Sequence, residues 1–527
     1  MKRKILGSVL VILTMLMALV LSACGDNTAT TAPAPTTAAA TTAAQAATTA
    51  AATTAAPAAT TAAATTAAPA TTAAGTTAAA SNNGLPPSVI KMPAQIAGGR
   101  PVKITVSEKP LETNPDAVKK WNEQVARFTK LYPNVTIEGS EYTYAPDTFA
   151  TLVASKQVPT LFAAYLTDPG KLVDQGVAAD LTTIIDANNL RSVYNPNVLS
   201  LTVKNNRVYG IPLFAYGMGL AYNINMLKEA GIAKPPATWD ELATDAKALT
   251  KRDQGRAGFT FINDGTAATG WMYTTMAYTF GATLNDFIKD NGNGTFSAAF
   301  NKGAPVDAMK FIQDLRWKYD VLPRDNLDWA RNGQAFATGQ AAMAVMAGDQ
   351  FSWIKTTYPD ADLKSLYFAP LPANAGGSSV SLIGGNVAMV SASATADEQE
   401  AATYFRLWTT FDPAEIKASL DLQQVTTGTA IGIPTLPLYV GSYQEALTNF
   451  QKPYNNMPTS NYQEYISAVT GGKVKLQPEP NPNGQDYYSA VGQVVSAVLT
   501  DKGTDPAASL DKAASTLQSN ILDRLKK

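Results

Sequence analysis

The chain offers a narrow set of chemically useful side chains. Its 527 residues contain one cysteine, no histidine, and 41 lysines and arginines against 42 aspartates and glutamates. Without histidine there is no Ser-His-Asp or Cys-His nucleophile system, no imidazole metal ligand and no imidazole pH switch. A single cysteine excludes an intramolecular disulfide, a thiolate zinc cluster and a CxxC redox pair. The balanced charge gives no concentrated basic surface for nucleic acid. DNGNGTFSAAF lacks the carboxylate spacing of a calcium loop, and Gly376-Gly377-Ser378-Ser379 lacks the lysine of a phosphate loop. What remains is carboxylates, amides and aromatic rings. Those groups suit binding of a polyhydroxylated or cationic solute, and a carboxylate pair also suits glycoside hydrolysis.

Only 16% of residues are charged although the apolar share, 46%, is ordinary, so an uncharged segment dilutes the composition. Two segments at the start of the chain account for it. Lys2, Arg3 and Lys4 precede Ile5 to Ala23, nineteen uncharged residues. The basic start, apolar run and small residues follow the pattern of a secretory signal peptide, residues 1–23. Leu21-Ser22-Ala23-Cys24 resembles the lipobox of bacterial lipoproteins. That resemblance implies cleavage before Cys24 and its acylation, and more than one acyl chain anchors a protein stably. An uncleaved helix with a structural cysteine is the competing reading. Loss of Lys2, Arg3 and Lys4 leaves 38 basic against 42 acidic residues, a net charge of −4.

From Asn27 to Ile90 no residue is charged, and most positions to Ala80 are Ala or Thr with scattered Pro. Such a tract has too few large apolar side chains to offset the entropy of ordering it. Residues 24–99 are therefore expected to form a flexible tether, similar in composition to O-glycosylated stalks. Its Gaussian reach is on the order of 45 Å.

The body, from about Arg100 onward, is long enough for more than one core. Lys103 to Val106 reads as a strand. Asn114 and Pro115 signal a helix start, with Val118, Trp121, Val125 and Phe128 on one face until Pro133. Val135 and Ile137 open a second strand, Thr160 to Tyr165 a third, with helices after each, around Phe149 to Ala154 and Gly170 to Gln175. Thr238 and Glu241 form a capping box, Phe259 to Ile262 is a strand candidate, and Pro305 opens another amphipathic helix. Asn293-Gly294 signals a hairpin turn. Alternation of this kind predicts an α/β fold with parallel sheet covered by helices on both faces.

Four stretches, in order, carry a family resemblance: residues 153–182 (VASKQVPTLFAAYLTDPGKLVDQGVAADLT), 206–242 (NRVYGIPLFAYGMGLAYNINMLKEAGIAKPPATWDEL), 336–354 (FATGQAAMAVMAGDQFSWI) and 368–405 (FAPLPANAGGSSVSLIGGNVAMVSASATADEQEAATYF). Together they resemble the extracellular solute-binding proteins, family 1, sugar-binding subunits of ABC importers related to maltose-binding protein. Trp353 stands farther from Gly348 than the family pattern places it, and the chain beyond TTGTAIGIPT fits more loosely. The resemblance implies a periplasmic-binding-protein-like fold of two α/β lobes joined by a multi-crossing hinge, with the ligand between them. It places lobe 1 at 100–215 and 365–412, lobe 2 at 216–364 and 413–450, and a mostly helical segment packing on the lobes at 451–527. Crossings are expected near Phe214 to Gly217, Ala347 to Lys364 and Phe411 to Pro413.

In open α/β sheets the loops after strands face the ligand. The ligand-binding candidates are then Glu108, Tyr144, Tyr165, Asp168, Tyr216, Trp271, Asp349, Trp353, Gly385 and Asn386. Several have alternatives: Tyr144 as a surface tyrosine, Tyr216 as hinge packing, Asp168 as a helix cap, Trp271 as core, and the glycines at 384–385 as a turn. Trp121, Trp317 and Trp408 are assigned to packing. The expected function is capture of a carbohydrate by hinge closure and its presentation to the permease, by a monomer anchored through Cys24 at the outer face of the cytoplasmic membrane. No catalysis, cofactor, metal or nucleic acid is expected. A polyamine or a glycerol-phosphate-type ligand is the alternative within the same class, and a surface glycoside hydrolase the alternative outside it.

Overall fold

The computed structural model describes residues 85–525 apart from 108, 375–376 and 426–428, all within the unit Ala78–Lys527. The expected leader, the acylation site Cys24, nearly all of the tether and Glu108 lie outside the described residues. Among the described residues no helix is long and apolar enough to cross a membrane.

Nine strands form the main sheet. They are β1 (Val102–Val106), β2 (Val135–Gly139), β3 (Leu161–Tyr165), β4 (Ile211–Asn223), β5 (Ala257–Thr260), β6 (Ala341–Ala347), β7 (Leu366–Ala369), β8 (Val380–Val390) and β9 (Lys475–Gln477). Their order is β2-β1-β3-β8-β4-β6-β5, with β7 beside β4 and β9 beside β8. The first three strands are parallel, as the alternation predicts, but β4 runs antiparallel to β6, β7 and β8, so the sheet is mixed.

The long strand β4 joins two halves. Its residues 211–217 pair with β8, while 218–222 pair with β6. The change of partner at Gly217–Met218 is held by Ser381, whose Oγ accepts from Met218 N at 2.7 Å and lies 3.1 Å from the Tyr465 hydroxyl. A sequence expectation put one crossing at Phe214–Gly217, beside this point.

Each half has its own core. In the first, α1 (Pro115–Leu131) starts where Asn114 Oδ1 accepts from Ala117 N, and Phe128 packs on Phe405 and Trp408 at 5.1 and 5.3 Å. The short α2 (Pro169–Asp174) follows β3. In the second half, Thr238 and Glu241 close a capping box on α3 (Trp239–Leu249), and α4 (Ala267–Thr279) packs beneath the sheet. Helices α5 (Ala304–Trp317), α6 (Trp329–Ala337) and α7 (Gln350–Thr357) complete it. Ile288–Asp290 and Phe296–Ala298 form the hairpin that Asn293-Gly294 signals.

Two expected crossings are corrected by the pairing. Residues 347–369 stay with the second half, because β6 and β7 flank the same residues of β4. After α8 (Ala396–Phe411), Asp412 Oδ1 accepts from Ala414 N and Pro413 opens α9 (Pro413–Val425). Asp412-Pro413 thus restarts a helix rather than carrying the chain across. In α9, Glu415 accepts from Arg127 Nε and NH2 at 2.6 and 2.8 Å and from Gln124, both on α1, so 413–425 belongs with the first half. Tyr439 and Tyr443 also pack in the first core. The last segment is helical as expected, but β9 also extends the sheet at β8, and α10 (Gly484–Thr500) and α11 (Pro506–Asn520) enter the second core.

Glu415 is 2% exposed while Arg127 reaches solvent. Glu415→Ala leaves Arg127 free to hydrate, so the expected loss is that of a charge-assisted hydrogen-bond pair, about 2 kcal/mol. Urea unfolding measures it. An unchanged midpoint would remove this bridge from the account of how 413–425 is held.

Candidate functional site

Three strand ends and one late loop converge where the two halves meet. β3 is buried along its length except at its last residue, Tyr165, which is 40% exposed. On β8 only Asn386 is exposed, and the antiparallel register sets it opposite Tyr165. Both line a groove of about 340 Å³ with Tyr144, Thr143, Lys109 and Glu141. An exposed ring and an exposed amide on two otherwise buried strands are a cleft wall rather than core.

Tyr144 is buried, not a surface residue. Its hydroxyl donates to Asp168 Oδ2 at 2.8 Å and its ring stands edge-on to Tyr165 at 5.2 Å. The Asp168 side chain makes no cap bond to α2, so its partner is the tyrosine. Burial pushes the Asp168 carboxyl above the usual carboxylate range, against the Tyr144 bond and the field of Lys171.

The facing wall is built around Tyr216 on β4. Trp271, near the start of α4, meets it edge-on at 6.2 Å and 89°. Trp271 also packs on the second core, so it serves both readings, and its indole N–H has no hydrogen-bond partner. Asp349 precedes α7 without capping it, and its Oδ1 is buried and unpartnered. Burial pushes its carboxyl up to about 6, and its charge bears on Tyr216.

Two candidates stand apart. Trp353 packs on Trp329 and Tyr358 at 5.1 and 5.5 Å and covers Gly333, so its ring belongs to the α6–α7 contact. Among the described residues no hydrogen bond or ring contact ties it to the other candidates. Gly385 lies inside β8, not in a turn, with φ 145° and the Phe214 carbonyl directly over its α-carbon. It serves the strand crossing. Gly384 makes room for the Tyr216 ring. A larger groove, about 550 Å³ over Ala361–Lys364 and Asn455–Pro458, contains no aromatic ring and none of the candidates.

Sequence reading missed Glu479. It follows β9 in Pro478-Glu479-Pro480, is 9% exposed, and lies by Thr167, Trp271 and Tyr488. Burial pushes its carboxyl up to about 8; those three donors oppose the shift and nearby Asp168 adds to it. The donors are close enough to act on the charge, yet Trp271 N–H and Tyr488 O–H make no hydrogen bond of good geometry. An acid fixed between two prolines after a strand was the available signal. Among the described residues no lysine or arginine pairs with Asp168, Asp349 or Glu479, and no three ligating groups converge to hold a metal. The arrangement offers ring faces and hydrogen-bond acceptors, with no buried cation for an anion.

Residues 113–412 match the family of bacterial extracellular solute-binding proteins, more than half of the chain. The chain belongs to this family. The solute-binding protein has the two-lobe fold of its solved relatives, which supplies the cleft between halves that the pairing of β4 describes. Maltose-bound MalE3 of T. maritima is similar with a TM-score of 0.59 at 19% identity, covering 80% of this chain and 100% of that one. The cyclic alpha-maltosyl-1,6-maltose binding protein of Arthrobacter globiformis gives 0.60 at 21%, over 80% and 100%. UgpB of Mycobacterium tuberculosis, in complex with glycerophosphocholine, gives 0.60 at 18%, over 80% and 98%. A putative binding protein of Brucella abortus (strain 2308) is 35% identical over 86 residues, 16% of this chain. That match spans about a fifth of the relative's length, 21%.

Proposed function

We propose that this solute-binding protein captures a carbohydrate between its lobes and presents it to the permease of an ABC importer, as a monomer held at the outer face of the cytoplasmic membrane by acylated Cys24. The observation that carries the reading is the pairing of ring and acceptor on each wall: Tyr165 beside Asn386 and Asp168, and Tyr216 with Trp271 beside Asp349. Sugars present flat C–H faces to rings and rims of hydroxyls to amides and carboxylates, and charged acceptors strengthen those bonds to roughly 1.5–3 kcal/mol each. MalE3 of T. maritima, bound to maltose, supports the same class. The lobes close because contacts made only in the closed form shift the population toward it. A micromolar solute needs about −8 kcal/mol, within reach of two rings and a few such bonds after ordering costs. The solute is held and released unchanged, with no catalysis.

A second reading, a polyamine ligand, is favoured by one observation: Asp168, Asp349 and Glu479 have no basic partner among the described residues. The same acidity argues against a glycerol phosphodiester, the ligand of UgpB.

A thermal-shift panel of maltose, maltotriose, spermidine and glycerophosphocholine separates these. A saccharide at about 100 times its Kd raises stability by about 2.7 kcal/mol. Stabilisation by spermidine alone would replace carbohydrate with polyamine, and cleavage of the saccharide during incubation would replace binding with hydrolysis.

A further inference from the structure

We infer that Glu479 is a positioning residue of the ligand cleft, tying Thr167 and Asp168 on the first-lobe wall to Trp271 and Tyr488 on the second. This rests on the carbohydrate-binding reading and names what sets the ligand-facing indole in place.

The loop is built for the purpose. β9 pairs in parallel with residues 380–382 of β8, which delivers the chain to the point where the lobes meet. Prolines on both sides of Glu479 restrict its backbone, and the Tyr278 hydroxyl of α4 donates to the Pro478 carbonyl at 3.0 Å. The side chain is buried under Trp271 with Tyr488, itself 1% exposed, alongside. Thr167, just beyond β3, approaches from the other lobe.

The charged and titratable groups facing Glu479 are Asp168 from the β3–α2 connection, Tyr165 from β3, Tyr216 from β4, Tyr278 from α4 and Tyr488 from α10. None is a cation, and Lys171 acts on Asp168 alone among the acids here. A buried carboxyl beside a second carboxylate keeps its proton. Burial holds Glu479 neutral below about pH 8. As a neutral acid it has one O–H to donate and oxygens that accept from Thr167, Trp271 and Tyr488. Ionisation at higher pH sets a second negative charge beside Asp168 and loosens the link between walls. The sign follows: ligand-competent geometry is favoured by the protonated form and is lost as pH rises through about 8.

The test uses the full chain labelled with 5-fluorotryptophan, in which Trp271→Phe assigns the Trp271 ¹⁹F resonance. In the wild type that resonance moves between pH 6 and 9; in Glu479→Gln, which keeps the neutral shape, it stays fixed. With maltose as probe, Glu479→Gln binds within about twofold of wild type at pH 6 and shows no fall toward pH 9, whereas Glu479→Ala binds about tenfold more weakly, the cost of unpaired buried donors. A wild-type resonance that ignores pH overturns the proposal. So does maltose binding by Glu479→Ala at wild-type strength. If maltose fails to bind the wild type, the carbohydrate reading is what suffers, and the ligand-free resonance still decides the role of Glu479.

Discussion

Replacing Asp349 by asparagine is expected to stabilise the unliganded protein above pH 7 while weakening saccharide binding. One carboxylate oxygen of Asp349 is buried without a partner, and the helix that follows it draws no cap bond from the side chain. Burial lifts the carboxyl from 3.8 to about 6, against hydrogen bonds from its own backbone and that of Gln350. A carboxyl whose folded pKa is raised contributes its full stability below the unfolded value, near pH 4, and loses it as pH rises through about 6. The cost at pH 8 approaches 3 kcal/mol, taking about 1.4 kcal/mol per pKa unit. Asparagine has the same shape and no charge to desolvate, so it recovers most of that amount at pH 8 and little at pH 4. Binding moves the other way. A charged acceptor exceeds a neutral one by about 1 kcal/mol, so affinity at pH 8 falls roughly fivefold. Urea unfolding at pH 4 and 8, with calorimetry against the saccharide selected by the thermal-shift panel, reads both effects. Equal stability of the two proteins at both pH values would mean that Asp349 is hydrated and does not wait in the cleft for a ligand donor.

The first wall of that cleft was legible in the sequence because it depends on local rules. A strand of apolar residues ending in Tyr165, followed by Asp168-Pro169 and a short helix, puts both side chains at a carboxyl end whatever the distant packing. Asn386 was legible by the same logic, as a polar residue in an apolar run. Trp353 was misplaced because a helix turn decides its direction. Four residues beyond Asp349 it returns to the face that covers Gly333, a contact spacing alone does not reveal. Glu479 was missed for a different reason. Only the three-residue strand β9, with little pattern of its own, brings it back to β8. The misplaced crossings have the same origin: β7 and α9 look like any strand and helix, and their side of the molecule is set by long-range partners, Tyr222 for Tyr367 and Arg127 for Glu415.

The adjacent glycines 384 and 385 should fail in different ways when given a methyl group. Gly385 has φ 145°, a region that side-chain-bearing residues avoid, and a Cβ there would lie 2.0 Å from the Phe214 carbonyl and 2.9 Å from the Ala215 α-carbon. Those atoms are backbone of β4, the strand that passes between lobes, and they have no rotamer to escape into. Strain of about 1–3 kcal/mol adds to an overpacking cost of similar size, so Gly385→Ala is expected to lose about 3 kcal/mol or more. At Gly384 the φ is ordinary, and the nearest atoms, 2.5–2.9 Å from a Cβ, all belong to the Tyr216 ring. A side chain can swing away where a backbone cannot. Gly384→Ala therefore costs little stability, about 1 kcal/mol, and instead drives Tyr216 off Trp271. Saccharide affinity then falls by about tenfold with the fold intact, since one ring face and its edge-on partner are displaced together. Unfolding midpoints and binding isotherms on the two variants form the comparison. A Gly384→Ala protein that binds as tightly as the wild type would take Tyr216 out of the site, and a stable Gly385→Ala would mean that β4 and β8 do not approach as closely as their hydrogen-bonded register requires.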